Sequence, residues 1–203
     1  MSYDPVPDGE LAAVVTYLEM LEPPITEVPQ STLRLRHVTQ PDLDQYRALF
    51  RKVGSNWLWF SRLTMPNREL EAILGDSKVE LYEVAAVEPV VGMLELDFRG
   101  AGQCELAFIG LVPELAGLGH GRWLLAKAVK LAWRDGISRV HVHTCTLDHP
   151  AALGAYRRAG FTAYKRAIER FPDPRLRGIL PPDCAPQVPL VGTLASAAPS
   201  PTS

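Results

Sequence analysis

Apolar and polar residues alternate along several short stretches of the chain, and longer stretches between them repeat apolar residues at helical spacing. Alternation with a period of two is typical of a half-buried strand, whereas apolar residues three and four positions apart indicate an amphipathic helix. The stretches predicted as strands are Leu33–Val38, Val79–Val87, Val90–Phe98, Gln103–Val112, Arg139–Thr146 and Phe161–Phe171. Those predicted as helices are Gly9–Leu21, Leu43–Val53, Asn67–Leu74, Arg122–Asp135 and Ala151–Ala159.

The order of these elements predicts a mixed sheet. Short turns join the three strands between residues 79 and 112, so these strands should form an antiparallel meander. A helix separates Gln103–Val112 from Arg139–Thr146, and a strand–helix–strand unit of this kind places its two strands parallel. We therefore predict an α/β fold with a central mixed sheet of about six to seven strands and helices on both faces.

The chain length of 203 residues suggests one domain with extensions at both ends. We expect residues 1–30 to form an N-terminal helical extension, because Pro23, Pro24 and Pro29 would end the first helix. Residues 31–171 would form the main domain. Residues 172–203 are rich in proline, so we expect an extended arm that wraps the domain and then a disordered tail.

Composition excludes several classes of function. A formal net charge of −2 gives no general signal for nucleic-acid or membrane binding. The N-terminus is acidic where a signal peptide would be basic, and no apolar run approaches the roughly 20 residues of a membrane span. The three cysteines are widely spaced and lack a Cys-x-x-Cys pair, which argues against a disulfide framework or a metal site. We expect a cytoplasmic protein without a bound metal.

A glycine loop after one strand is the strongest chemical signal. Pro113 stops the strand, and Gly117, Gly119 and Gly121 follow at alternate positions before a helical pattern begins at Arg122. Glycines let a ligand approach the backbone, and the positive end of a helix dipole attracts anions, so we expect a phosphate-bearing ligand. The spacing fits neither a Walker loop nor a dinucleotide fingerprint. The alternative is a purely structural turn.

Two motifs in this region resemble those of the GNAT superfamily of N-acetyltransferases. The stretch from Ala116 to Gly121 resembles the coenzyme A loop, Gln/Arg-x-x-Gly-x-Gly/Ala, with Ala116 as the departure. The stretch from Asp148 to Phe161 resembles the element Asn-x-x-Ala-x-x-x-Tyr-x-x-x-Gly-Phe, with His149 in place of Asn. Matching positions in the second motif are Ala152, Tyr156, Gly160 and Phe161. The resemblance covers about residues 33–171 and implies the GNAT acyl-CoA N-acyltransferase fold.

The resemblance also implies where acetyl-CoA binds. In this family the strand before the loop and the parallel strand after its helix splay apart, and the pantetheine arm fills the gap. The residues expected to contact the coenzyme are Ile109, Gly110 and Leu111 on the strand, Gly117, Leu118, Gly119, His120, Gly121 and Arg122 at the loop, and His149. His149 would bond the pantetheine amides or, alternatively, cap the following helix with Asp148.

The implied reaction is direct attack of a primary amine on the acetyl thioester. Tyr156 matches the family's general acid, and the alternative is that it only packs against the coenzyme. The Leu111 N–H is the implied donor to the developing oxyanion. An amine must lose a proton, so a base is needed. Glu105 is the first candidate for this base, and the rivals are Glu95 and His143. Cys145 is expected to be a buried small residue rather than a nucleophile.

The acceptor amine belongs to a small molecule or a protein. Trp57 and Trp59 either line its pocket or pack in the core. Glu95, Asp97 and Glu105 would suit a cationic acceptor if they face the cleft. Two alternatives remain, a coenzyme A-binding sensor without activity and a transferase for a longer acyl-CoA. Exposed sheet edges and the predicted N-terminal helix make a homodimer a further expectation.

Overall fold

A computed structural model describes residues 3–25, 27–86 and 89–193. The strands are β1 (Glu10–Met20), β2 (Arg34–Val38), β3 (Val79–Ala85), β4 (Gly92–Asp97), β5 (Gln103–Leu111), β6 (Arg139–Cys145) and β7 (Thr162–Pro172). The helices are α1 (Leu43–Gly54), α2 (Ser61–Thr64), α3 (Asn67–Leu74), α4 (His120–Ala132) and α5 (Ala152–Arg158). Single turns of 3-10 helix occupy Ser55–Trp57 and Pro113–Leu115. Within the described ranges, no helix is long and apolar enough to cross a membrane.

The strands form one seven-stranded mixed sheet in the order β2-β3-β4-β5-β6-β1-β7. The meander β3-β4-β5 is antiparallel, and β5 runs parallel to β6, as the sequence predicts. Helices cover both faces. On one face α4 packs on a core that includes Leu94, Leu106 and Val140. On the other face α1 and α3 pack on a core that includes Met93. The predicted fold class is confirmed.

The helix predicted at Gly9–Leu21 is wrong, because residues 10–20 form β1. This strand lies inside the sheet, between β6 and β7, so it is not a helical extension. A register shift between Tyr17 and Leu18 explains the error. It spaces the buried residues Ala13, Val15, Leu18 and Met20 by two, three and two positions, which imitates the apolar face of a helix. The β-branched and aromatic run from Val14 to Tyr17 favours the strand.

The chain after β7 packs as an arm without helix or strand over residues 173–193. A buried ion pair between Asp173 and Arg175, at 2.7 Å, organises it. The Arg175 guanidinium also donates to the carbonyls of Cys184, Ala185, Val188 and Pro189. Leu180 and Ala185 then pack against Leu58, so the arm supports the turn that carries Trp57. The expectation of a disordered tail concerns residues 193–203, of which 194–203 lie outside the described residues.

Candidate active site

A fork between two parallel strands forms the centre of the site. β5 and β6 pair only from Gln103/Arg139 to Glu105/His141, and beyond that point each strand continues without the other. The Val112 N–H donates to the Val91 carbonyl on the β4 side. Because backbone groups alternate in direction along a strand, Leu111 and Ile109 turn their N–H and C=O groups into the fork. The same alternation turns those of Gly110 toward β4.

The fork opens into a cleft of about 1930 Å³. β5 and β6 form its walls, the start of α4 and the face of α5 form one end, and the turn around Trp57 closes it from above. The segment between β1 and β2 contributes Pro23, Pro24, Glu27, Val28 and Pro29 to the end beside α4. A cleft of this volume holds a molecule larger than most metabolites, since small-ligand pockets measure about 300–1,000 Å³.

The glycine loop leaves the N-terminus of α4 open. Gly117 and Gly119 have φ of +79° and +83°, which favours glycine at both positions. A Cβ added at Gly117, Gly119 or Gly121 would meet nothing within 4 Å. Among the described residues, no acceptor bonds the N–H groups of Gly117, Gly119, His120 or Gly121. Free donors at the positive end of a helix fit an anion such as pyrophosphate.

Among the side chains of the loop, Arg122 lines the cleft, whereas Leu118 and His120 do not. The His120 Nδ1 is 3.0 Å from the Ser31 hydroxyl, so its imidazole is held against the segment between β1 and β2. Leu118 is 64% exposed, and Arg122 is exposed on the first turn of α4. The free groups at the start of α4 are therefore mainly backbone N–H groups, and an anion there would not require the Gln or Arg that Ala116 replaces.

Tyr156 lies on α5 and lines the cleft. Its ring packs edge-on against Phe161, with ring centroids 5.9 Å apart. No described residue bonds its hydroxyl. Burial, followed by the nearby charge of Asp148, raises the pKa of this phenol above its ordinary value of 10.0. The hydroxyl is therefore protonated at neutral pH and is free to donate into the cleft.

Glu105 and His143 form a pair at the point where the strands diverge. The His143 Nδ1 lies 3.3 Å from the Glu105 Oε1, and both residues line the cleft. The contact with Glu105 raises the pKa of His143 above its ordinary value of 6.5. The same contact lowers the pKa of Glu105 below 4.5. Two of the three candidate bases are thus in contact with each other.

Glu95 is not an open acidic group. It is fully buried on β4, where it pairs with Arg62 and accepts a hydrogen bond of 2.5 Å from the Tyr46 hydroxyl. Its charge is therefore compensated inside the protein, and it is removed from the candidates for base or acceptor site. Asp97 is likewise paired, since its carboxylate lies 2.5 Å from the guanidinium of Arg99. Of the three acidic residues expected at the cleft, Glu105 alone pairs with a histidine rather than an arginine.

The two tryptophans have different environments. Trp59 packs among Phe50 and Phe108, and a Cβ at Gly54 would lie 2.5 Å from the Trp59 Cβ, so this ring is a core residue at the cleft wall. Trp57 lies over His149 with ring centroids 5.0 Å apart, and both residues line the cleft. Trp57 is therefore the better placed of the two to contact a ligand.

Asp148 links the two sides of the cleft, a role that the sequence did not indicate. One carboxylate oxygen accepts from the Trp59 Nε1 at 3.1 Å, and the other accepts from the Thr144 hydroxyl and the Cys145 N–H. The backbone N–H of Ala151 donates to the His149 Nδ1 at 3.0 Å, so His149 rather than Asp148 caps the turn before α5. The remaining ring nitrogen of His149 is free to contact a ligand.

Two further residues depart from expectation. Cys145 is half-buried at the cleft rather than fully buried, and burial raises the pKa of its thiol, which disfavours the reactive thiolate. Arg62 was not singled out in the sequence, although its guanidinium lies over the Phe108 ring at 5.2 Å and lines the cleft. No sequence signal separates this buried arginine from the exposed ones around it.

Comparisons with known proteins agree with this geometry. The profile of the Acetyltransferase (GNAT) family matches residues 47–161. No curated protein matches the chain. A functionally unknown conserved protein from Staphylococcus epidermidis ATCC 12228 superposes with a TM-score of 0.55 and 12% identity, over 81% of this chain and 63% of that one. This chain thus spans under two thirds of that protein's length.

Two other solved structures share the fold. A GCN5-related N-acetyltransferase from Sphaerobacter thermophilus has a TM-score of 0.55 and 20% identity, over 82% of this chain and 52% of its own. An aminoglycoside acetyltransferase from an uncultured soil metagenomic sample has a TM-score of 0.54 and 16% identity, over 68% of this chain and 93% of its own. At these identities the likeness concerns the fold alone. The family profile covers more than half of the 203 residues, and this chain therefore belongs to the GNAT acetyltransferase family.

Proposed function

We propose that this protein transfers the acetyl group of acetyl-CoA to a primary amine. One observation carries the proposal: the fork between β5 and β6 leads to the open N-terminus of α4. The fork offers unpaired backbone groups to an extended amide chain, and the helix offers free N–H groups to a pyrophosphate. Coenzyme A joins these two chemical features in one molecule, and the cleft has room for it.

The residues of the fork and loop would hold the coenzyme. Ile109 and Leu111 would offer backbone groups to the pantetheine arm. The free N–H groups of Gly117, Gly119, His120 and Gly121 would bind the pyrophosphate. His149 supplies its free ring nitrogen beside Trp57. When bound, the coenzyme supplies an acetyl thioester as the acyl donor.

The amine must lose a proton as its nitrogen bonds to the acetyl carbon. A lysine-like amine has a pKa of about 10.4 and is mostly protonated at neutral pH. Neutral His143 takes this proton, and Glu105 orients the imidazole and stabilises its charged form. Since Glu95 is neutralised by Arg62, the Glu105–His143 pair is the base that the geometry supports best.

The leaving sulfur needs a proton when the carbon–sulfur bond breaks. Tyr156 carries a neutral hydroxyl that no described residue engages, and it is the proposed donor. The Leu111 N–H, which turns into the fork, stabilises the negative charge that develops on the carbonyl oxygen. The products are an N-acetylated amine and free coenzyme A.

A thiol-release assay tests the proposal. The wild-type protein is mixed with acetyl-CoA and a panel of small amines and lysine peptides, and free coenzyme A is measured with and without each amine. We expect amine-dependent thiol release together with an acetylated product by mass spectrometry. Coenzyme binding without transfer to any amine would favour a coenzyme A-binding sensor. Faster release of coenzyme A from a longer acyl-CoA would favour a transferase for longer acyl groups.

A further inference from the structure

The outer edge of β7 is long and unpaired. β7 is the last strand of the sheet and pairs with β1 over its whole length. Nine of its eleven residues are exposed, and only Ala167 and Phe171 are half-buried. Within the described part of the chain, no segment bonds the outer edge of this strand. Exposed strand edges are templates for pairing with another chain, so an edge of this length calls for an occupant.

The backbone direction of each β7 residue follows from its pairing with β1. The Asp173 N–H donates to the Gly9 carbonyl at the end of the ladder, so the odd-numbered residues of β7 bond β1. Arg166, Ile168 and Arg170 therefore turn their N–H and C=O groups outward. Pro172, which has no N–H, also falls on the outward side, where a proline is tolerated.

A second copy of this chain fits the edge in one register. Antiparallel pairing about a two-fold axis requires outward residues to face outward residues. An axis at Arg166 would place this residue opposite itself, and an axis at Ile168 would place Arg166 opposite Arg170. Both registers juxtapose like charges, which destabilises a strand pair. An axis at Ala167, the midpoint of the strand, avoids this and overlaps all eleven residues.

We propose that the protein forms a homodimer in which two β7 strands pair antiparallel about an axis at Ala167. In this register Lys165 lies opposite Glu169 of the second copy, and the symmetry repeats this opposite-charge contact. Neither residue has an ion-pair partner among the described side chains. Each copy offers the same patch, so the contact is self-complementary and closed.

An apolar patch supports the same axis. Ile168 is 73% exposed, and its register partner Val14 on β1 is 40% exposed. Across the axis at Ala167 the two Ile168 side chains become diagonal neighbours on one face of the extended sheet. Pairing would thus join two exposed Val14–Ile168 patches into one and shield them from water.

The proposed dimer interface would adjoin the cleft. Glu169 and Phe171 line its outer end on the face that carries His143. A two-fold axis perpendicular to the sheet keeps this face of both copies on the same side. The Lys165 side chain contributed by the second copy would therefore lie beside Glu169 and lower the negative charge at the cleft entrance.

Sedimentation velocity of the full chain tests the proposal at several protein concentrations. We expect a species of twice the 22.4 kDa chain mass. Glu169→Lys creates two like-charge contacts and should raise the dimer dissociation constant about tenfold or more. Adding Lys165→Glu to this variant reverses both charges and should restore the dimer. Ile168→Pro should abolish it, because this position donates outward and not to β1, and circular dichroism would verify the fold of each variant.

The outcomes separate cleanly. Loss in Glu169→Lys, recovery in the charge-reversed double variant and loss in Ile168→Pro support pairing at Ala167. A wild-type protein that stays monomeric would overturn the proposal, since the edge would then be covered in another way. A dimer that survives both Glu169→Lys and Ile168→Pro would also overturn it, because a different surface would hold the two copies. Failure of acetyl transfer would leave this test unaffected.

Discussion

Replacing Gly121 by glutamate should stabilise the free protein and weaken its binding of acetyl-CoA. Gly121 is the second residue of α4, it lacks the positive φ of Gly117 and Gly119, and a Cβ there meets nothing within 4 Å. The folded protein therefore accepts a side chain here without strain. Because the family's loop pattern admits glycine or alanine at this position, a larger and negatively charged side chain is needed to oppose the pyrophosphate proposed to lie at the start of α4.

The two effects have opposite signs and similar sizes. Glutamate in place of glycine in the first turn of a helix contributes roughly 0.5–1 kcal/mol of stability. For a chain of this length, that free energy raises Tm by about 1–4 °C. Loss of one hydrogen bond to a charged phosphate costs about 1.5–3 kcal/mol, which weakens Kd by about 10- to 100-fold. Few substitutions raise stability and lower affinity together, so the combination is diagnostic.

Thermal unfolding and calorimetric titration measure both effects in the same preparations. Gly136→Glu is the matched control, because Gly136 has φ +86° and open space around it but does not line the cleft. It should lose about 1–2 kcal/mol of stability and keep its coenzyme affinity. Gly119→Ala should lose both stability and affinity. A stabilised Gly121→Glu protein with unchanged acetyl-CoA affinity would refute the assignment of the loop.

Three further predictions concern the proton transfers and the arm. Tyr156→Phe should keep coenzyme affinity and lower kcat about 10²- to 10⁴-fold, and an unchanged rate would remove Tyr156 from the mechanism. The wild-type kcat/KM should rise with pH as His143 loses its proton. Glu105→Gln should move this rise to lower pH, because the contact with Glu105 raises the pKa of His143. An unchanged pH profile would exclude a functional Glu105–His143 pair. Arg175→Met should cost about 3–5 kcal/mol in urea unfolding by leaving Asp173 buried and unpaired, with recovery in Arg175→Met/Asp173→Asn; a loss below about 1 kcal/mol would contradict this role.

Local sequence signals were sufficient for most of the sheet and for the glycine loop. The meander, α3 and the parallel β5–β6 pair follow from alternation, helical spacing and one crossover. The divergence of β5 and β6, implied by the resemblance, is present in the structure. The loop was recognisable because glycine at alternate positions before a helix has few structural purposes.

Long-range contacts account for what the sequence did not reveal. The register shift after Tyr17 gave the sequence of β1 a helix-like spacing of apolar residues. The position of β1 between β6 and β7 explains why residues 10–20 are extended. Glu95 is one acidic residue among several in the sequence, and its burial depends on Arg62, which lies 33 positions away. The link from Asp148 to Trp59 spans 89 positions and likewise has no local signature.

Calorimetric titration of the wild-type protein with acetyl-CoA, coenzyme A and NADH tests the central claim most directly. The account predicts saturable binding of both coenzyme A species, a rise in Tm with each, no binding of NADH, and loss of coenzyme binding in a folded Gly119→Glu variant. Absence of heat with either coenzyme A species, or unchanged affinity in Gly119→Glu, would contradict the claim that the fork and the α4 N-terminus form an acetyl-CoA site.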